Sequence, residues 1–455
     1  MDCDVAIVGC GPVGALLANL LGRRGVSVRV LEKQPQPYPL PRAIHFDGEA
    51  MRAFQNAGLA EQVVHHTHVG KGMLFQDETG RTLIDWSRDQ VPGPMGWYES
   101  YRFHQPGLEA ELVRGLDRFP QLTLTRGIAV ETVAQDTDGA TLALSDGSQV
   151  RAKFVVGCDG AQSTVRNGLD MGWTDLGFQE RWLVVDVHLT RPRPDLGDYS
   201  IQHCHADYPA TYVRGTQDRR RWEIRLTPND PETPDDAQVW AKLSRWITPE
   251  DAHLERSAVY IFRSGVATQW QAGRVLLAGD AAHQMPPFMG QGMCAGVRDA
   301  ANLAWKLALA VERDAPDLLT SYQGERDANV RQFIDLSMAL GRLINQTDPE
   351  KLPKGQMKSI WPDLGPGLGP RDGVGGTLVP QGRSADGRLA DDTAFPGFHI
   401  LVRVDLPGAT LPVIQDASGW LDERGLAGVV VRPDGYALAG FASADDLADA
   451  MEHVP

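Results

Sequence analysis

The chain opens on four consecutive apolar residues, Val5-Ala6-Ile7-Val8, a run of the right length for a strand buried on both faces. From Pro12 to Arg24 the period changes. Val13, Leu16, Leu17, Leu20 and Leu21 share one face of a helix. Val26 to Leu31 returns to an apolar strand, so the three segments form a βαβ unit with a parallel pair. Residues 49 to 64 and 105 to 117 each predict a helix. Between 121 and 157 apolar and polar positions alternate, with Asp138-Gly139 and Asp146-Gly147 as turns. Residues 181 to 227 hold further strands, Trp182 to Val187 and Arg221 to Leu226 the clearest, which predicts a second β-rich layer. Arg274 to Ala278 is another short buried strand, and the helical region from 291 to 345 breaks near Pro316. Residues 362 to 383, rich in Gly and Pro, predict a linker. The last segment alternates again: Thr410 to Ile414, Gly419 to Glu423, Gly428 to Val431 and a closing helix from Ala444 to His453.

The expected fold class is therefore α/β, with a Rossmann-like domain interrupted by a β-sheet domain. The boundaries read as 1–175 and 271–345 for the two parts of the first domain and 176–270 for the β-rich layer. A linker over 346–395 and a small α/β unit over 396–455 complete the chain.

The turn after the first strand carries chemistry: Gly9-Cys10-Gly11-Pro12-Val13-Gly14. Gly9 permits the tight turn, Gly11 lets a pyrophosphate approach the backbone, and Gly14 lets the helix pack close to the sheet. The phosphates then meet the N–H groups and positive end of that helix. Glu32 ends the second strand, where a carboxylate accepts hydrogen bonds from ribose hydroxyls and disfavours a 2′-phosphate. The dinucleotide is thus FAD or NAD. Two further strand ends repeat the pairing of glycine and acid. One is Gly157-Cys158-Asp159-Gly160, running into a Ser/Thr-rich helix start. The other runs from Gly279-Asp280 through His283 and Pro286-Pro287 to Gly290-Gln291-Gly292-Met293. There Asp280 can bond a ribityl hydroxyl, and the helix opening at Gly290 to Gly292 can face negative charge developing on a flavin.

Three such motifs in this order resemble the class A flavoprotein monooxygenases, the family of p-hydroxybenzoate hydroxylase. Pro41 to Ile44, Trp182 to Asp186 and Asn302 to Ala308 are similar to segments of 3-(3-hydroxyphenyl)propionate and phenol hydroxylases. The resemblance implies a resident FAD and a transient NADPH or NADH. It also implies O₂ and a small phenolic substrate, hydroxylated through a flavin C4a-hydroperoxide. It assigns Gly9, Gly11, Pro12, Gly14, Glu32, Lys33, Arg42 and Gln105 to the FAD phosphates and ribose. Asp159 falls in the region shared with the nicotinamide cofactor. Gly279, Asp280, Pro287, Gly290, Gly292 and Met293 fall around the ribityl chain and ring. The single GxGxxG argues against disulfide reductases and Baeyer–Villiger enzymes, which carry two.

Electrophilic oxygen transfer favours an ionised phenol, so a base beside the flavin is expected. His45 is the first candidate, with Asp47 after it. Tyr212 and Arg214 in the β-rich layer could meet a phenol or carboxylate, and His203 and Arg225 are weaker choices of the same kind. Alternation turns about half of such residues away from any one face. His283 is positional or catalytic. Two other readings stand beside this one: a polyketide- or antibiotic-modifying hydroxylase, and a flavin-binding protein or reductase without oxygenase activity.

Composition narrows the picture further. The 455 residues carry a formal charge of −15, unfavourable for nucleic acid or anionic membrane. No apolar run of about 18 residues occurs, so no membrane span is expected. The start, Met1-Asp2-Cys3-Asp4, is unlike a signal peptide, and cytoplasm is expected. Five cysteines at wide spacings, without CxxC, point to reduced thiols and no metal site. Phe395 to Phe398 and Val431 to Tyr436 resemble a shortened thioredoxin-like C-terminal domain. That tail has no cysteine, which excludes dithiol chemistry there and leaves a structural or dimer-stabilising role, hence a homodimer.

Overall fold

A computed structural model describes residues 1–205, 207–345, 355–370, 373–383, 387–406 and 408–455. Among the described residues the strands form sheets of eight, nine, four and three strands. The eight-stranded sheet has a parallel centre: Val275–Leu277, Gln149–Gly157, Cys3–Val8, Val28–Glu32 and Leu122–Arg126, side by side in that order. The buried stretches of its central strands, Val5–Val8, Val30–Leu31, Phe154–Val156 and Val275–Leu277, are apolar. Register places Val8 beside Gly157 and Leu31, and Gly157 beside Leu277. The three glycine–acid motifs therefore leave one edge of the sheet together, where ligands of open α/β sheets bind.

Two helices pack over this edge, Pro12–Gly22 and Gly292–Arg313. They approach closely because Gly296 has no side chain: a Cβ there would lie 2.5 Å from Val13 Cγ2. After Arg313 a short turn from Pro316 to Thr320 redirects the chain into Ser321–Ile344, matching the break expected near Pro316.

The nine-stranded sheet stands over the same edge. Thr174–Leu189 and Ala252–Val266 form its long antiparallel pair, followed by Arg219–Arg225, Ala210–Arg214 and Ser200–His203. Gly72–Gln76 and Thr82–Ser87 continue it. The sequence reading assigned the β-rich layer to 176–270 alone and gave residues 72 to 87 no strand. These two strands are short and join the sheet only through long-range pairing with Ser200–His203, which no local pattern announces.

Three smaller expectations are also corrected. The helix expected over 49–64 is two, Gly48–Asn56 and Ala60–Val64, because Gly58 adopts φ +69° between them. The helix expected to 117 ends at Arg114 and tightens into a 3₁₀ turn. The closing helix is a 3₁₀ turn plus Leu447–Met451.

Parts of the expected linker lie outside the described residues. The remainder is mostly irregular, apart from the strand Gly355–Gln356 and the helix Ala390–Ala394, and is packed rather than a free spacer. Leu364, Leu378 and Val379 are buried, and the Arg52 guanidinium donates to the Val379 carbonyl at 2.7 Å. Arg52 also grips Asp391 with two bonds of 2.7 Å. In a second buried cluster, Glu325 accepts from Lys306 at 2.7 Å and from Arg432 at 2.7 and 3.0 Å. Arg432 and Asp434 belong to the C-terminal unit, whose four strands run Val413–Gln415, His399–Val402, Gly428–Val431 and Ala437–Phe441 across the sheet. No helix among the described residues is long and apolar enough to cross a membrane.

Asp391→Ala would leave the Arg52 guanidinium buried without its counterion. Urea unfolding should show a loss of about 3–5 kcal/mol. A variant that melts like the parent would mean that this pair does not hold the strap.

Candidate active site

The glycine loop is shaped by contacts that a side chain would destroy. Gly9 adopts φ +100°, and a Cβ there would meet the Cys158 carbonyl oxygen at 2.5 Å. A Cβ on Gly14 would stand 2.1 Å from the Gly9 oxygen. One on Gly11 would meet nothing within 4 Å, so this glycine faces open space at the start of the helix that Pro12 begins. Glu32 braces the loop: its carboxylate accepts from the Cys10 N–H at 2.7 Å and from the Gln34 N–H at 2.8 Å. Lys33 is exposed beside it.

Several expected cofactor ligands turn inward and hold backbone instead. Asp159 accepts from Ser163 Oγ at 2.5 Å and from the Val165 N–H at 3.2 Å, stitching its own turn. Gln105 is buried; its Oε1 accepts from the Ala43 and Arg42 N–H groups at 2.5 and 3.2 Å, and its Nε2 donates to Glu109 at 2.6 Å. Gln105 thus sets the path of the Arg42 segment. The Arg42 side chain itself is half-exposed, 3.5 Å from Glu109. Asp280 is solvent-exposed between buried neighbours, with Gly279 at φ +63° before it.

His283 is buried and bonded to Asp299 at 2.6 Å, and Asp299 also pairs with Arg326 at 2.8 Å. These bonds fix the His283 ring within the third motif. Burial works to raise the Asp299 carboxyl, but His283 and Arg326 outweigh it and hold the group at about 2.

The flavin-facing loop follows. Pro287–Met289 forms a 3₁₀ turn, Gly290 adopts φ +63°, and the helix opens at Gly292 and Met293 without a side-chain cap. Its first N–H groups remain available to an acceptor. A Cβ on Gly290 would press to 2.7 Å from His45 Nδ1. Gln291 donates to Asp47 at 3.1 Å and accepts from Arg298 at 2.9 Å. Arg298 reaches Asp47 and Glu49, each at 2.6 Å. The glycine cradle, the Glu32 carboxylate, the exposed Asp280 and the uncapped helix start fit the pyrophosphate, ribose, ribityl chain and ring of FAD.

Between this loop and the nine-stranded sheet lies a cleft partly open to solvent. Trp86, Phe288, Met289, Phe333, Ile360 and Trp361 give it apolar walls. His45 lines it, with Nδ1 3.3 Å from the Gly290 carbonyl, which can only accept. Nδ1 is therefore the protonated nitrogen. Burial and the charge of Arg102 depress the imidazole to about 3, so it stays neutral. Asp47 also touches the cleft, but its carboxylate caps Gly48–Asn56 through Ala50 and pairs with Arg298.

Among the expected residues of the sheet, Tyr212, Arg214 and His203 are one position out of phase. Thr211 and Val213 line the cleft, whereas Tyr212 packs against Trp222 and Arg214 faces Asp198. His203 stacks on Trp246, and Arg225 sits 4.0 Å from Glu180. In their place the cleft presents Arg88, Glu99, Arg102 and Glu223, none of them singled out by sequence. Their signal was a charge inside an apolar strand, as in Tyr101-Arg102-Phe103 and Trp222-Glu223-Ile224. Arg102 is 5 % exposed and donates only to Ser200 Oγ at 2.9 Å and Ser100 Oγ at 3.4 Å. Burial and the neighbouring Arg88 lower its guanidinium to about 10. No carboxylate among the described residues pairs with it.

Glu32→Ala removes the brace of the glycine loop and a ribose acceptor. Charge-assisted bonds of this kind are worth about 1.5–3 kcal/mol, so FAD affinity should fall about tenfold or more. Flavin fluorescence titration measures it, and an unchanged affinity would refute the role. Asp299 yields a second prediction. Its folded carboxyl lies below the unfolded value of about 3.9. Its contribution to stability is thus complete above about pH 4 and lost as pH falls toward 2. Asp299→Asn should flatten the acid limb of the stability curve over that range. An acid limb identical to the parent's would show that the loss arises elsewhere.

Comparison with known proteins agrees with this geometry. Residues 2–337 match the family model described as FAD binding domain. A probable NADH-specific resorcinol 4-hydroxylase of Rhodococcus jostii is 36% identical over 98% of this chain and 93% of its own length. A 3-(3-hydroxy-phenyl)propionate/3-hydroxycinnamic acid hydroxylase of Mycolicibacterium smegmatis is 36% identical, covering 76% of this chain but 62% of its own. The structure of aklavinone-11 hydroxylase with FAD and aklavinone superimposes with a TM-score of 0.82 at 22% identity, over 99% of this chain and 98% of that one. The chain belongs to the FAD-binding-domain family of flavin-dependent monooxygenases.

Proposed function

We propose that this protein hydroxylates a small phenol, of the resorcinol or 3-(3-hydroxyphenyl)propionate kind, with NADH and O₂. The observation that carries the reading is Arg102, a buried cation without a carboxylate partner among the described residues, lining a largely apolar cleft beside the flavin-facing loop. A buried charge left unpaired is costly, and a substrate oxygen bearing negative charge offsets that cost. The FAD chemistry is hydride acceptance from NADH and transfer of one oxygen atom of O₂. The residues of the chain orient and shield the ring. Trp86, Phe288, Met289 and Phe333 hold it and exclude water, while Arg102, Ser100 and Ser200 offer donors to its oxygen. Neutral His45 keeps Nε2 free to accept one hydrogen bond.

The opening of this apolar-walled cleft to solvent favours a second reading, a fused-ring substrate of the kind named for the aklavinone hydroxylase. Under either reading we assign residues 1–175 and 271–345 to the cofactor domain and 176–270 to the substrate layer, with residues 72 to 87 moved to the latter. The C-terminal unit is proposed as a shortened thioredoxin-like domain with a structural role. Its parallel pair His399–Val402 and Val413–Gln415, followed by two antiparallel strands, supports that assignment.

NADH and NADPH oxidation by the FAD-loaded protein should be measured with resorcinol, 3-(3-hydroxyphenyl)propionate and a fused-ring phenol, quantifying product and H₂O₂. Strong stimulation by a single-ring phenol, with product matching NADH consumed, is expected. Arg102→Met should raise the KM for that phenol about tenfold, the loss of one charged hydrogen bond. Stimulation by the fused-ring phenol alone would select the second reading. Oxidation yielding only H₂O₂ with every phenol would leave a flavin reductase.

A further inference from the structure

Building on the phenol hydroxylase reading, we infer that Glu223 is the catalytic residue that takes the substrate's phenolic proton. The strand Arg219–Arg225 lies between Thr174–Leu189 and Ala210–Arg214, with Glu223 opposite Val184 and Thr211. Its side chain lines the cleft on the same face as Thr211 and Val213, while Trp222 and Ile224 belong to the core behind the sheet.

The other proton acceptors of the cleft are engaged or weak. Asp47 accepts from Ala50, Gln291 and Arg298. Glu99 accepts from Ser359 Oγ at 2.7 Å and faces Arg88 at 3.7 Å. His45 is held near 3, too acidic in its protonated form to draw a proton from a phenol of ordinary pKa, about 10. Glu223 differs from all three. It is 8 % exposed, and its carboxylate accepts no hydrogen bond among the described residues. Its nearest cation, Arg221, stands 3.7 Å away and gives its own bonds to Asp186 at 2.7 and 3.1 Å and to the Arg42 carbonyl at 2.6 Å.

The surroundings favour a proton on this carboxylate. Burial raises the Glu223 carboxyl, Arg221 and Arg256 lower it, Asp186 raises it again, and the balance is upward. In the step itself, the phenol O–H bond breaks, its electron pair stays on the substrate oxygen and the proton passes to a Glu223 carboxylate oxygen. Arg102 and Arg88, the cations lining the cleft, favour the resulting phenolate. No oxidant or reductant enters this step; it prepares the ring for the oxygen transfer.

Glu223→Gln keeps the volume and removes the base. In the FAD-loaded protein, kcat/KM for the stimulating phenol should fall about 10²–10⁴-fold at neutral pH. The deficit should shrink at alkaline pH and for phenols acidic enough to arrive ionised. The acid limb that protonation of Glu223 gives the parent's pH profile should vanish. A second measurement needs no turnover: p-nitrophenol bound to the oxidised holoenzyme, its ionisation read by absorbance. The parent should bind it as the phenolate at pH values where Glu223→Gln binds it neutral, with Glu223→Asp restoring ionisation. A parent that holds this probe neutral or binds none, or a Glu223→Gln protein that ionises it equally with an unchanged pH profile, overturns the inference. Should no phenol be hydroxylated, the proposed function fails by its own test, while the ionisation of nitrophenol still decides whether Glu223 accepts the proton.

Discussion

Everything that surrounds the flavin-facing loop converges on the guanidinium of Arg298. It is buried, and three of its nitrogens are spent on Glu49, Gln291 and Asp47. Gln291 belongs to the loop, Asp47 follows the strand that carries His45, and Glu49 accepts from Tyr436 of the C-terminal unit at 2.6 Å. Such a pairing is costly to bury and worthwhile only when its geometry is satisfied throughout. Here one satisfied charge fixes the relative places of three segments drawn from distant parts of the chain.

The parts legible in the sequence are those governed by local backbone demands. Gly9, Gly11 and Gly14 could be read because a strand, a tight turn and a helix follow one another within a few residues. Glu32 could be read because it ends the next strand. The helix break near Pro316 has an equally local cause. The cleft walls were not legible, since they assemble from residues 72 to 102, 200 to 223 and 287 to 291 through strand pairing. On Ala210–Arg214 the choice of Tyr212 and Arg214 over Thr211 and Val213 is a slip of one residue, and in a strand that reverses every side chain. Gln105 and Asp159 illustrate another limit. Gln105 bonds the Ala43 and Arg42 N–H groups and Glu109, and Asp159 bonds Ser163 and the Val165 N–H; a sequence does not say which of two nearby acceptors or donors a polar side chain will choose.

The C-terminal unit shows how polar contacts can take over the work of a small core. Its sheet buries Ile400, Val402, Val430 and Leu438 against Trp305 of the long helix. Around that patch lie Arg432, Asp434, Glu325, Lys306 and Asn302, each bonded to at least one of the others. Directional networks of this kind narrow the docking geometry, whereas an apolar face alone would tolerate several. With Arg52 and Asp391 fastening the preceding strap, the unit is continuous with the cofactor domain in hydrogen bonding as well as in packing.

The near-contact between Gly290 and His45 bears on how such a protein can diversify. A glycine with no room for a methyl group, set against an imidazole that donates to its carbonyl, makes two positions 245 residues apart answer to one another. A smaller residue at 45 would release the steric claim on 290, and any side chain at 290 would first require that release. Accessible paths to new substrate scope therefore run through position 45 before position 290, an ordered, ratchet-like dependence of one mutation on another.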